Sequence, residues 1–108
     1  MRKFLGNYKK EYTEAFRESI EILEGKDKTV IESKIDEVLN DPWHNSRNMK
    51  GRRRGLRRRW LNDSDRIIFA VCEDCRENGY ERFNRCSDCD EAPDNLVIFV
   101  ELVLDHEY

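Results

Sequence analysis

The sequence predicts an α+β fold in which an N-terminal helical hairpin packs on one face of a small antiparallel sheet. Three observations carry this expectation. Apolar residues recur at helical spacing before Pro42, β-branched and aromatic runs follow Gly55, and turn-rich segments separate the two regimes. A chain of 108 residues has material for one modest core, so residues 1–108 are expected to form one domain.

The first helix is read from "YKKEYTEAFRESIEILEG", where Tyr8, Tyr12, Phe16, Ile20 and Leu23 form one stripe and Gly25 supplies a stop. In the second, "KTVIESKIDEVLND", Val30, Ile31, Ile35, Val38 and Leu39 repeat the pattern, and Pro42 lies just past its end. "GLRRRWL" and "RIIFAVC" then read as strands joined by the turn segment "NDSD". "NLVIFVELVL" is largely apolar and belongs at the centre of the sheet. Phe4 and Leu5 are candidates for a short strand ahead of the helices. Core packing accounts for the apolar helix residues, and His44 in "DPWHNS" is assigned a turn or packing role.

Charge is spread unevenly. The formal net charge is −3, yet residues 47–59 hold eight cations and no acid, leaving 12 cations against 23 acids elsewhere, a net −11. A solvated face normally mixes signs. An island that excludes acids points to a polyanionic partner, either nucleic acid or an acidic protein segment. No apolar run reaches the roughly 18 residues of a membrane span, and the N-terminus lacks the apolar region of a secretory signal. The expectation is a cytoplasmic protein with no membrane partner.

Strand parity sorts the arginines. Along "GLRRRWL", Leu56, Arg58 and Trp60 point to one face, and Arg57, Arg59 and Leu61 to the other. If Leu56 and Trp60 meet the helices, Arg57 and Arg59 project from the open face about 6–7 Å apart, near the spacing of successive phosphates on a single strand. Arg58 then snorkels from the core side to an edge.

The run "DPWHNSRNMKGRRRGLRRRWLNDSDRIIFAV", taken with "LVIFVELVLDHEY", resembles the RelE/YoeB toxins of the RelE/ParE superfamily. Met49-Lys50-Gly51 matches the family's small turn, residues 55–71 its two central strands, and the terminal "DHEY" its ending. The resemblance implies an mRNA interferase, a small endoribonuclease that cuts messenger RNA in the ribosomal A site and is silenced by a cognate antitoxin protein. It places the strand's basic pair on Arg57 and Arg59, the arginine opening the next strand on Arg66, and the terminal polar group on His106 and Tyr108. Arg47, Lys50, Arg52, Arg53 and Arg54 are assigned to nucleic-acid binding. Attack of a 2′-hydroxyl on its neighbouring phosphate needs charge stabilisation, which arginines supply. It also needs a proton acceptor and a proton donor, and His106 suits either role. Tyr108 offers a stacking surface or a proton. Arg66 has a structural alternative, pairing with Asp63 or Asp65.

The chain departs from the family in two ways. It is acidic outside the island, and Arg47 and Asn48 stand where some YoeB-like members carry an acid. Glu101 is an alternative base if it emerges on the arginine face; otherwise it is an in-strand partner for a structural arginine.

Between the last two strands lies Cys72-x2-Cys75-x10-Cys86-x2-Cys89. Two C-x-x-C knuckles let four thiolates converge on a tetrahedral Zn²⁺, and four cysteines leave no open coordination position, so the zinc is expected to be structural. It clamps a Cys-rich hairpin insertion at residues 72–89. Paired disulfides and a redox C-x-x-C are the rival readings. No small-molecule cofactor is indicated. Two other functions remain open: a non-catalytic or gyrase-directed superfamily member that acts by protein binding, and a zinc-ribbon nucleic-acid-binding module.

Overall fold

The computed structural model describes residues 4–62, 64–83 and 91–104. In chain order the elements are β1 (Lys9–Tyr12), α1 (Glu14–Glu21), α2 (Gly25–Asn40), β2 (Ser46–Asn48), β3 (Arg57–Trp60), β4 (Arg66–Val71), α3 (Cys72–Glu77) and β5 (Leu96–Val103). Short 3-10 turns occupy Gly51–Arg53 and Tyr80–Phe83. One five-stranded sheet has the order β1-β5-β4-β3-β2, with β1 parallel to β5 and every other pair antiparallel. As expected, the apolar β5 lies inside the sheet, flanked by β1 and β4.

The first strand is not at Phe4 and Leu5, and the first helix is shorter than its apolar stripe. Tyr8 and Tyr12 stand four apart, a spacing that fits both helix and strand periods. Here the strand wins, because the Lys9–Tyr12 backbone pairs with β5 in the register Lys9↔Leu96 to Tyr12↔Phe99. Thr13 then ends the strand and caps the helix, its extended backbone (φ −68°, ψ 162°) letting Oγ1 accept from Phe16 N at 3.2 Å.

One core cluster joins Phe16 and Ile20 of α1, Ile31, Ile35 and Val38 of α2, and Ile67, Phe69, Val71, Val97, Phe99 and Leu102 of the sheet. The rings of Phe16, Phe69 and Phe99 meet at centroid separations of 5.4 and 6.0 Å. On the other face α3 packs against β4 and β5. Cys75 packs with Leu56, Ile68 and Ala70, and Cys72 with Ile98 and Ala92, both clusters also touching Val100. The insertion therefore opens as a helix.

β5 carries an irregularity that positions the site. Ile68 pairs with Glu101 but Phe69 pairs with Phe99, so Val100 is an extra residue in a β-bulge. Strict alternation would place Glu101 on the core side with Val97 and Phe99. The bulge resets the parity, sending Leu102 to the core and Glu101 and Val103 to the opposite face. Thr13 stabilises the bulge by donating its hydroxyl to the Val100 carbonyl at 2.8 Å, while Thr13 N donates to Phe99 O at 3.0 Å.

Candidate functional site

The three consecutive arginines of β3 divide between two environments, opposite to the expected division. The register Arg57↔Phe69 and Arg59↔Ile67 puts Arg57 and Arg59 on the helix side, where they are only 8% and 5% exposed. Parity paired the residues correctly but assigned the faces the wrong way round. β4 is apolar on both faces and offers no cue, and the helix side supplies polar partners that make buried guanidiniums tolerable. Arg57 Nε donates to Ser46 Oγ at 2.9 Å and Nη1 to Asn48 Oδ1 at 3.2 Å. Nη1 also lies 3.5 Å from Asp74 Oδ2, and the guanidinium sits 4.8 Å from the centre of the Trp43 ring. Arg59 Nη2 pairs with Glu37 Oε1 at 3.1 Å. Lys34, with a further contribution from Arg59, holds the Glu37 carboxyl below its ordinary range.

Around Arg57 lies a buried polar group that links distant parts of the chain. Tyr8 Oη donates to Glu73 Oε1 at 2.8 Å and accepts from Trp43 Nε1 at 3.3 Å. Burial pushes the phenol up to about 12. Burial likewise raises the Asp74 carboxyl, against the opposing pull of Arg57. Glu73 Oε2 is buried with no hydrogen-bond partner among the described residues.

The other face displays Arg58, Trp60, Arg66 and Glu101. Trp60, expected against the helices, is 46% exposed, with the Arg58 and Arg66 guanidiniums 5.4 and 5.2 Å from its ring centroid. Two rows of register partners fix the layout. Arg47, Arg58, Ile68 and Glu101 form one row across β2 to β5, and Trp60, Arg66 and Val103 form the next. Neighbours along a row are about 5 Å apart, and Arg66 is the diagonal neighbour of both Arg58 and Glu101 at about 7–8 Å. A cation and a carboxylate thus flank Arg66 within the span of a nucleotide. Glu101 has emerged on the arginine face, as its candidacy as a base required.

The rest of the island forms the β2–β3 connection. Met49 N donates to Leu56 O at 2.9 Å and Arg54 N to Gly51 O at 3.2 Å, closing a compact turn that needs left-handed backbone at Gly51 (φ 66°) and Gly55 (φ 99°). Lys50, Arg52 and Arg54 are exposed at its surface, as is Arg47 on β2. Arg53 reaches back over the sheet to pair with Glu101. The turn rests on α3, with Cys75 Sγ 3.5 Å from the Gly55 carbonyl oxygen.

Cys72 and Cys75 are both buried one turn apart on α3, each packed in its own apolar cluster. The other two cysteines, Cys86 and Cys89, lie outside the described residues, as do His106, Tyr108 and Asp63. Val103, the register partner of Arg66, precedes His106 by three positions. His44 is exposed and lies beside Asn45, its Nε2 3.2 Å from Asn45 Nδ2, at an open cleft of about 580 Å³ along α2. That cleft, with Asp36, Glu37, Asp41 and Arg59 in its walls, is on the helix side, away from Arg66 and Trp60.

Sequence reasoning named Arg66 and Glu101 as candidates and placed Arg58 and Trp60 on the helix side, whereas the register puts all four on the other face. The overlooked signal was the pair of acids in "CEDC", which gives a buried arginine of β3 a partner at the sheet's end.

A mixed α/β unit with a five-stranded sheet, one layered face and one half-open basic face is the class these elements define. No family profile and no curated protein sequence matches the chain. Among solved structures it is similar to a chain of the toxin–antitoxin complex RelBE2 from Mycobacterium tuberculosis, with a TM-score of 0.59 and 10% sequence identity, the match covering 88% of this chain and 94% of the other. The fold is RelE-like.

Proposed function

We propose that the protein is a RelE-type toxin of the cytoplasm, an endoribonuclease that cuts messenger RNA on the ribosome through attack of a 2′-hydroxyl on the adjacent phosphate. The observation that carries this reading is the half-exposed Trp60 flanked by the guanidiniums of Arg58 and Arg66 on the open sheet face. An exposed aromatic flanked by cations suits an unpaired base stacked on the ring and its phosphates held alongside. A structural arginine needs no exposed tryptophan beside it. Arg58 takes the role first assigned to Arg57 and Arg59, whose guanidiniums are engaged on the helix side.

In this reading Arg66 and Arg58 stabilise charge that develops on the phosphorane. Arg47, Lys50, Arg52 and Arg54 hold ribosomal or messenger phosphates around it. His106 and Tyr108, at the end of the chain that continues from β5, supply the proton to the departing 5′-oxygen and a further stacking surface. The partner in the cell is an antitoxin whose acidic segment covers the same face.

Zinc is the structural cofactor of this reading. Cys72, Cys75, Cys86 and Cys89 would hold the ion, and the bound metal would supply a rigid cross-link. Its mechanical target is the cationic turn that rests on α3.

The test is expression of the chain in cells, followed by mapping of messenger ends. Translation should arrest, with cuts inside codons of ribosome-bound messenger and 2′,3′-cyclic phosphate or 3′-phosphate termini. Intact messenger beside a tightly bound protein partner supports the non-catalytic alternative instead.

A further inference from the structure

Resting on that reading, we infer that Glu101 is the residue that takes the 2′-hydroxyl proton, and that Arg53 occupies its carboxylate until RNA arrives. Three features of the fold converge on this carboxylate. The bulge at Val100 turns Glu101 to the open face. The register places it in line with Arg58 and diagonal to Arg66, so a phosphate held by Arg66 brings its neighbouring 2′-hydroxyl within reach. Its side chain stays 44% exposed on that face, beside Arg53 at 41%.

The Arg53–Glu101 pair does not by itself explain why an acid stands there. Ion pairs this exposed contribute little to the stability of a fold, and an apolar residue at the same point of the sheet would serve the fold as well. Arg53 belongs to the Gly51–Arg53 turn, which is built of backbone hydrogen bonds that do not involve Glu101. A phosphate competes for the guanidinium with the same bidentate chemistry as a carboxylate, so binding RNA releases Glu101 where its acceptor function is needed.

The step balances with groups already named. Glu101 removes the proton from the 2′-hydroxyl, O2′ forms a bond to phosphorus, and the phosphorus–O5′ bond breaks. The 5′-oxygen leaves with a proton from His106 or water, giving a 2′,3′-cyclic phosphate and a 5′-hydroxyl. The proton on Glu101 returns to solvent.

The experiment is single-turnover cutting of messenger on programmed ribosomes at saturating protein, with wild type, Glu101→Gln, Glu101→Asp and, as a charge control, the exposed helix variant Glu18→Gln. Glu101→Gln should be slower by about 10²- to 10⁴-fold, the range of general-base catalysis, with unchanged or tighter ribosome binding and an unchanged melting temperature. Glu101→Asp should fall between it and wild type, and Glu18→Gln should match wild type. A second substrate with sulfur in place of the bridging 5′-oxygen has a leaving group that needs no proton. Glu101→Gln should remain slow on it, whereas a variant lacking the proton donor recovers. Wild-type cutting with an equally fast Glu101→Gln, or rescue of Glu101→Gln by the sulfur substrate, overturns the assignment and leaves the nuclease reading standing. A wild type that does not cut overturns both.

Discussion

Arg57 and Arg58 are adjacent and chemically identical, yet they carry opposite expectations. Arg57 is buried beside Asp74, and removing one member of a buried pair leaves the other uncompensated. Arg57→Ala should lower unfolding stability by about 3–5 kcal/mol in denaturant titration, whereas Arg58→Ala should cost less than about 1 kcal/mol. Catalysis should invert that ranking: Arg58→Ala and Arg66→Ala each slow cutting, Arg66→Ala by about 10²-fold or more as a preorganised donor to the transition state. Tyr8 supplies a pH signature at the same scale. Its folded value of about 12 lies above the ordinary 10.0, so the unfolded chain loses this proton first as pH rises. The contribution is therefore fully present below about pH 10 and is lost as pH climbs toward 12. Tyr8→Phe should flatten the decline of stability across that window, measured by denaturant titration at successive pH values.

At the scale of elements, β5 and α3 do the positioning. Thr13 both caps α1 and satisfies the carbonyl of the Val100 bulge, so Thr13→Ala should destabilise by about 1–2 kcal/mol and loosen the parity of the strand's second half. Deleting Val100, the extra residue, should remove the bulge while keeping Phe99 inward and Glu101 on the open face; the expected result is a protein that loses the Thr13 contact but still cuts. Much of this level was legible in the sequence. α2 ended where Pro42 required, β4 and β5 fell on their β-branched runs, β3 fell within the expected "GLRRRWL" strand, and β5 lay inside the sheet as its apolar composition demanded. β1 was not legible, because Tyr8 and Tyr12 satisfy two periods and the deciding contact is the parallel edge of β5, 87 residues away at Tyr12↔Phe99. The bulge was invisible for a related reason: every residue around Val100 suits a strand, and only the pairing with β4 shows which one is extra. The faces of β3 depended on Glu37 and Asp74, partners remote in sequence. Metal belongs to this scale too. If zinc ties Cys72 and Cys75 to Cys86 and Cys89, metal analysis should find about one Zn²⁺ per chain. A strong chelator should lower the melting temperature and speed hydrogen exchange in the 49–56 turn.

Across the whole molecule, a cation island of eight residues is set against a remainder of net −11. Its Arg57 and Arg59 are spent on the buried helix side, and the others are displayed on or around the open face. That separation gives the protein one attractive face for polyanions and a body that repels them, which under the proposed function would orient its approach to a ribosome. Replacing Arg52 and Arg54 should weaken ribosome association and flatten its dependence on salt concentration while leaving the chemical step at saturation intact. The central claim, that the open face carrying Arg58, Trp60, Arg66 and Glu101 cuts RNA, is tested most directly by incubating purified wild-type and Arg66→Ala protein with programmed ribosomes and sequencing the messenger termini. The account predicts wild-type cuts within codons, bearing 2′,3′-cyclic phosphate or 3′-phosphate ends, and about 10²-fold fewer from Arg66→Ala. Uncut messenger with wild-type protein bound, or equal cutting by the two proteins, contradicts it.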